Sequence, residues 1–114
     1  MRCVTEETAG PRAIVALPGE IDITNSAAIK ASLLLVLDGP GLVIADMTGT
    51  TFCDSSGLRM LIVARDRAAA SGCTLRIVIR PDSSVARSLA ILGMDRVLPI
   101  YASVADAMPA DLPL

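Results

Sequence analysis

The 114-residue sequence has no histidine and no tryptophan, and only one tyrosine and one phenylalanine. Without histidine, Ser-His-Asp and Cys-His hydrolysis, histidine general acid–base catalysis and histidine-liganded zinc are excluded. So few aromatics leave no stacking platform for single-stranded nucleic acid. Lysine is almost absent: of ten basic residues, Lys30 is the only one. The G-x-x-x-x-G-K-[ST] phosphate loop does not occur. Charge of either sign is modest, with twelve acids against ten bases and a net charge of −2. Such a chain has no bulk electrostatic attraction to DNA or RNA. Cysteine is sparse and odd in number, at Cys3, Cys53 and Cys73, with no C-x-x-C spacing. The three are expected to be small hydrophobes in a reducing compartment rather than disulfide partners. The start, Met1 to Glu7, carries acids where a signal peptide would be apolar. The longest apolar run, Leu33 to Leu37, is far below the ~18 residues of a membrane helix. A soluble, cytoplasmic protein with no membrane part is expected.

Apolar residues are plentiful: 53% of the chain is hydrophobic and the mean hydropathy is +0.60. That is enough to bury a core, and the length fits one domain. A single domain over 1–114 is predicted, its core about 3–108, with a short irregular C-terminal tail around Pro109 and Pro113. Strand-like and helix-like segments alternate, the signature of an α/β fold. Strands are predicted at Arg2 to Glu7 and Ala13 to Leu17, joined by a turn at Gly10-Pro11 into an antiparallel hairpin. Pro18-Gly19 interrupts the second, so it is expected at a sheet edge or with a bulge. A helix capped by Thr24 or Asn25 buries Ile29, Leu33, Val36 and Leu37 at helical spacing and stops at Asp38-Gly39-Pro40-Gly41. Its other face, Ala28, Ala31 and Leu35, is apolar for a solvent face: either a harmless patch or a contact surface.

Leu42 to Asp46 is a continuous apolar run ending in an acid, as a strand buried on both faces would be. A long helix is predicted from about Ser56 to Ser71, with Leu58, Leu61, Ile62 and Ala69 inward and Arg65 snorkelling from the same face. Leu75 to Ile79 is the next strand. A helix follows, with Val85, Leu89 and Leu92 inward and Gly93 as its stop. A strand at Val97 to Ile100 and a helix from Ser103 to Met108 complete the chain. The three strands at 42–46, 75–79 and 97–100 are each separated by one helix and are expected to be parallel neighbours.

The chemistry is concentrated in Thr48 to Leu58, a loop that runs into a helix start. Asp54, Ser55 and Ser56 are all good N-cap residues. Gly57 in the first turn costs about 1 kcal/mol relative to alanine, which makes sense where something approaches the backbone closely. Two readings stand side by side. One is an ordinary helix cap. The other is an exposed serine that accepts a phosphate, favoured by the helix N-terminus and opposed by the neighbouring Asp54. A second set, Glu20, Asp22, Asp46 and Asp54, is similar to the acidic Mg²⁺ pocket of receiver domains. It lacks their paired acid after the first strand and their lysine after a late one. A serine hydrolase is excluded, because G-x-S-x-G and a histidine base are both missing.

Three segments in order carry a resemblance: Gly19-Glu20-Ile21-Asp22, Val43-Ile44-Ala45-Asp46, and Thr51-Phe52-Cys53-Asp54-Ser55-Ser56-Gly57-Leu58. Leu92 to Ala107 adds to it. The chain resembles STAS domains, and within them bacterial anti-sigma factor antagonists. The resemblance implies a small mixed β-sheet with largely parallel core strands packed against about four helices. It implies a non-catalytic partner switch in transcription, of the kind used in stress response and sporulation. The unmodified protein would bind an anti-sigma factor that is also a serine kinase and so release a sigma factor. That kinase would use ATP to phosphorylate Ser55, with Ser56 the second choice, and a serine phosphatase would reverse it. Asp54 would orient the serine or touch the kinase; Ser56, Gly57 and Leu58 would form the docking surface, with Asp22 and Thr24 beside it and Arg59 tuning partner choice. No cofactor, metal or direct DNA or RNA contact is implied. A different class of function, a STAS module that senses a nucleotide, another small ligand or a partner protein without switching, remains open.

Overall fold

The computed structural model describes residues 5–9 and 12–109, with side chains from Arg12 onward. The predicted strand beginning at Arg2, the Gly10-Pro11 turn, Cys3 and the tail beyond Pro109 lie wholly or partly outside those residues. The order is β1 (Thr5–Ala9), β2 (Arg12–Ala16), β3 (Glu20–Ile21), α1 (Ser26–Val36), β4 (Gly41–Asp46), β5 (Phe52–Cys53), α2 (Ser55–Ser71), β6 (Cys73–Val78), α3 (Ser84–Ile91), β7 (Ile100–Tyr101) and α4 (Val104–Ala107). A 3₁₀ turn at Met94–Arg96 links α3 to β7.

Five strands form the main sheet in the order β1-β2-β4-β6-β7. β1 and β2 are antiparallel; every other neighbouring pair is parallel. The expected mixed sheet with parallel core strands is therefore present. β4 lies at its centre and is buried on both faces, which is why it reads as an unbroken apolar run. Its Val43 and Ala45 join a large core with Val15, Leu75 and Ile77 of the sheet, Ile29 and Leu33 of α1, Leu61 and Ala64 of α2, and Val85 and Leu89 of α3. Its Leu42 and Ile44 face the other way and join Val78 and Ala107 in a small cluster under α4. Each fully buried aliphatic side chain contributes about 1.5–3 kcal/mol, so the three-helix side dominates stability. Arg76 fastens α4 to the thin side: its guanidinium donates to the Ala107 carbonyl at 2.7 Å and lies 5.3 Å from the Tyr101 ring centre.

Several expectations change. β2 is not an edge strand, because β1 covers its outer side. Pro18 causes no conflict, since β2 ends at Ala16 and the last bond on this side is Leu17 N–H to the Asp46 carbonyl, at 2.9 Å. Ala69 is exposed, because the buried stripe of α2 runs through Gly57, Leu61, Ala64 and Ala68. Ile62 packs partly against the core, and Arg65 reaches outward to Asp66 and the Val97 carbonyl. Leu92 is 61% exposed, because α3 ends before it and Leu98 enters the core from the following turn. The strand expected at 97–100 is instead Ile100–Tyr101: the 3₁₀ turn ends at Arg96 with Val97 as its C-cap, Leu98 turns into the core, and the strand pairing begins only at Ile100. The outer face of α1 is as predicted, with Ala28, Ala31 and Leu35 exposed.

Candidate functional site

Two dipeptides that show no strand periodicity bring the site together. β3 and β5 form a separate parallel pair, with Glu20 opposite Phe52 and Ile21 opposite Cys53. Threonines fix this pair to the chain leaving β2. Thr50 donates its hydroxyl to the Pro18 carbonyl at 2.9 Å, and the Thr51 N–H reaches the Gly19 carbonyl at 2.7 Å. The Asp54 N–H then bonds the Ile21 carbonyl at 3.0 Å. Each short strand feeds a helix, so the starts of α1 and α2 emerge side by side.

Asp54 caps α2. Its Oδ1 accepts the N–H groups of Ser56 at 2.9 Å and Gly57 at 3.2 Å, and also the Ser56 hydroxyl. The Ser56 hydroxyl does most to hold the Asp54 carboxyl below its ordinary pKa; burial opposes this, and the Gly57, Ser56 and Ile23 N–H groups reinforce it. The group is therefore ionised at neutral pH. Ser55 opens the helix and is exposed, and its hydroxyl takes no part in the cap. Ser56 is half-buried and committed to Asp54. The two adjacent serines thus differ sharply in availability.

Gly57 is explained from inside the protein. A Cβ there would lie 2.5 Å from Cys53 Sγ and 2.7 Å from Ile21 Cγ2. The close approach inferred from this glycine is that of β3 and β5, not of a ligand. Leu58 is likewise turned into the core, at 5% exposure. Gly57 and Leu58, expected on the docking surface, offer almost no side-chain surface; they set the seat of the helix. Burial, then the charge of Asp54, pushes the Cys53 thiol up to about 11, so it is a neutral packing group.

At the start of α1, Asp22 Oδ1 accepts the Thr24 N–H at 2.9 Å and the Thr24 hydroxyl. Asn25 faces backward: its Oδ1 accepts the Asp22 N–H at 2.9 Å and its Nδ2 donates to the Glu20 carbonyl at 2.8 Å. Asn25 occupies the N-cap position without a side-chain bond into the helix. Asp22, Thr24, Asp54, Ser55 and Ser56 are thus gathered by the β3–β5 pair, whereas Glu20 and Asp46 stand apart in role. Asp46 turns the loop after β4 by accepting the Thr48 N–H at 3.0 Å. Among the described residues no group of three or more acids and cysteines is placed to hold a metal ion.

A shallow groove of about 210 Å³ runs between α1 and α2 from Ser56, lined by Ile23, Lys30, Arg59, Met60 and Val63 among others. It is smaller than the roughly 300–1,000 Å³ usual for small-molecule sites. Of its lining, Ser56 and Arg59 were singled out from the sequence as site residues. No spacing rule links Lys30 to Arg59 across two helices. Among the described residues no helix is long and apolar enough to cross a membrane.

Comparison with known proteins gives one family. The model of the STAS domain matches residues 3–107. The anti-sigma-F factor antagonist RsfB of Mycobacterium tuberculosis is 26% identical over 97 residues, covering 84% of this chain and 78% of that protein. The crystal structure of an anti-sigma factor antagonist from Mycobacterium paratuberculosis superposes with a TM-score of 0.80 at 24% identity, over 91% of this chain and 88% of that one. The anti-sigma factor antagonist SpoIIAA in its unphosphorylated form superposes with a TM-score of 0.69 at 15% identity, over 90% of each chain.

Proposed function

We propose that this chain, which belongs to the STAS domain family, is an anti-sigma factor antagonist switched by phosphorylation of Ser55. It has no catalysis of its own. It acts in the cytoplasm by binding an anti-sigma factor, and the sigma factor is thereby released. The anti-sigma factor is also the serine kinase that uses ATP to modify Ser55, and a serine phosphatase restores the binding form. The names of the relatives support the antagonist role.

One observation carries the switch: of the two adjacent serines, Ser55 is free at the surface, while Asp54 holds the Ser56 hydroxyl. Asp54 also decides what a phosphate does there. A helix N-terminus ordinarily welcomes an anion. Here the Ser56 and Gly57 N–H groups already serve the Asp54 carboxylate. A phosphate on Ser55 therefore gains little from those amides and adds about two negative charges beside a carboxylate that stays ionised. The fold is left intact. A partner closing over this spot must desolvate the dianion next to Asp54, and a penalty of ~3 kcal/mol weakens binding more than a hundredfold. Asp22 and Thr24, at the adjoining helix start, form the second rim of the contact, and Arg59 one turn along α2 adjusts which partner is accepted.

The test is to incubate the protein with ATP and each anti-sigma factor kinase of the same genome, then map the modified residue by mass spectrometry. Phosphate on Ser55, absent in Ser55→Ala and retained in Ser56→Ala, is the expected result. Kinases active on their own substrates that neither modify nor bind this protein would contradict the proposal.

A further inference from the structure

The groove between α1 and α2 has a composition that the switch does not account for. Its floor and walls are apolar: Met60 is 3% exposed, while Ile23 and Val63 are 76% and 37% exposed. Its charges are all of one sign. Lys30 from α1 and Arg59 from α2 line it, and no acid does. That runs against the whole chain, which is net negative. The two ion pairs among the described residues, Arg65–Asp66 and Arg80–Asp82, involve neither Lys30 nor Arg59. The groove begins at Ser56, whose hydroxyl is bound to the Asp54 cap, so it is continuous with the candidate switch.

We infer that this groove receives an acidic protein segment: an apolar side chain of the partner lodges between the exposed Ile23 and Val63, above the buried Met60, and flanking carboxylates face Lys30 and Arg59. Charge complementarity names the occupant. Two unpaired cations on either side of an apolar strip match a segment that alternates acidic and apolar residues. They are too few to hold nucleic acid, whose affinity comes from many phosphate contacts. The inference rests on the antagonist reading, because it needs a protein partner at the start of α2. It also adds to it, because Ser55 and Arg59 are one helical turn apart. A phosphate on Ser55 thus competes with the partner's carboxylates for the same guanidinium.

The experiment measures binding of the full-length protein to the anti-sigma factors of the same genome, using Lys30→Glu, Arg59→Glu, the double variant and Arg87→Glu. Arg87 is exposed on α3 and matches the change in net charge away from the groove. Each groove reversal should weaken binding about tenfold and the double about a hundredfold, with Arg87→Glu within about twofold of the parent. Lys30→Gln with Arg59→Gln guards against a folding effect: it should melt as the parent does and bind more weakly, with a flatter salt dependence. A double reversal that binds within about twofold of the parent would overturn the groove assignment and leave the antagonist reading standing. If no anti-sigma factor binds even the parent, the antagonist reading falls and the groove assignment falls with it.

Discussion

At the start of α1, Asp22 binds the N–H and hydroxyl of the residue two positions on, Thr24. At the start of α2, Asp54 does the same with Ser56. Both aspartates follow two-residue strands that pair in parallel register. From there the two helix starts diverge. In α1 the next residue, Asn25, turns back and locks the helix start onto β3 through two hydrogen bonds. In α2 the aspartate continues forward to the Gly57 N–H, and Gly57 lets the helix sit directly against Ile21 and Cys53. The first helix is anchored by polar bonds to the strand behind it, the second by steric closeness to the strands beneath it. Anchoring from beneath leaves the outer side of α2 unobstructed, and that is where Ser55 lies. A switch residue needs this arrangement: a rigid backbone under a side chain with nothing to lose on modification.

The comparison can be broken most severely at Gly57. In Gly57→Val the new Cβ meets Ile21 and Cys53 below contact distance. Overpacking of this kind costs about 2–3 kcal/mol, which urea unfolding would read as a lower midpoint. A loss under about 0.5 kcal/mol would mean that α2 is not seated by this contact. At the other helix start, Asn25→Ala removes both backward bonds and should cost about 1–2 kcal/mol in the same assay. The smallest change is a pH dependence. The Asp54 carboxyl titrates below its unfolded value, so its contribution is present above that value, near 4, and is lost as pH falls through the lowered folded one. Asp54→Asn keeps an acceptor for the cap and should flatten the acid side of the stability–pH curve. An unchanged curve would remove Asp54 as an ionised cap.

Much of this was legible in the sequence, and the failures have physical reasons. β4 announced itself as an apolar run, and the start of α2 as the three cap residues Asp54, Ser55 and Ser56. The Asp54 cap is local chemistry, written in consecutive residues. β3 and β5 were not legible as strands, because two residues carry no periodicity and their pairing joins positions 32 apart. The close approach signalled by Gly57 is present, but its source was not legible for the same reason: it is Cys53 together with Ile21, which lies far away in the chain. Leu92 failed because helical spacing was carried past the end of α3, where the chain had already turned. The groove between α1 and α2 depends on how two helices meet, and neither helix signals it alone.

The central claim is that a free hydroxyl at Ser55 permits partner binding and a phosphate there forbids it. The most direct measurement is a calorimetric titration of the cognate anti-sigma factor with two forms of the protein, one unmodified and one carrying phosphoserine installed at position 55 during synthesis. The account predicts binding by the unmodified form and at least about a hundredfold weaker binding by the phosphorylated form, with the two forms melting at nearly the same temperature. Equal affinity of the two forms would contradict it.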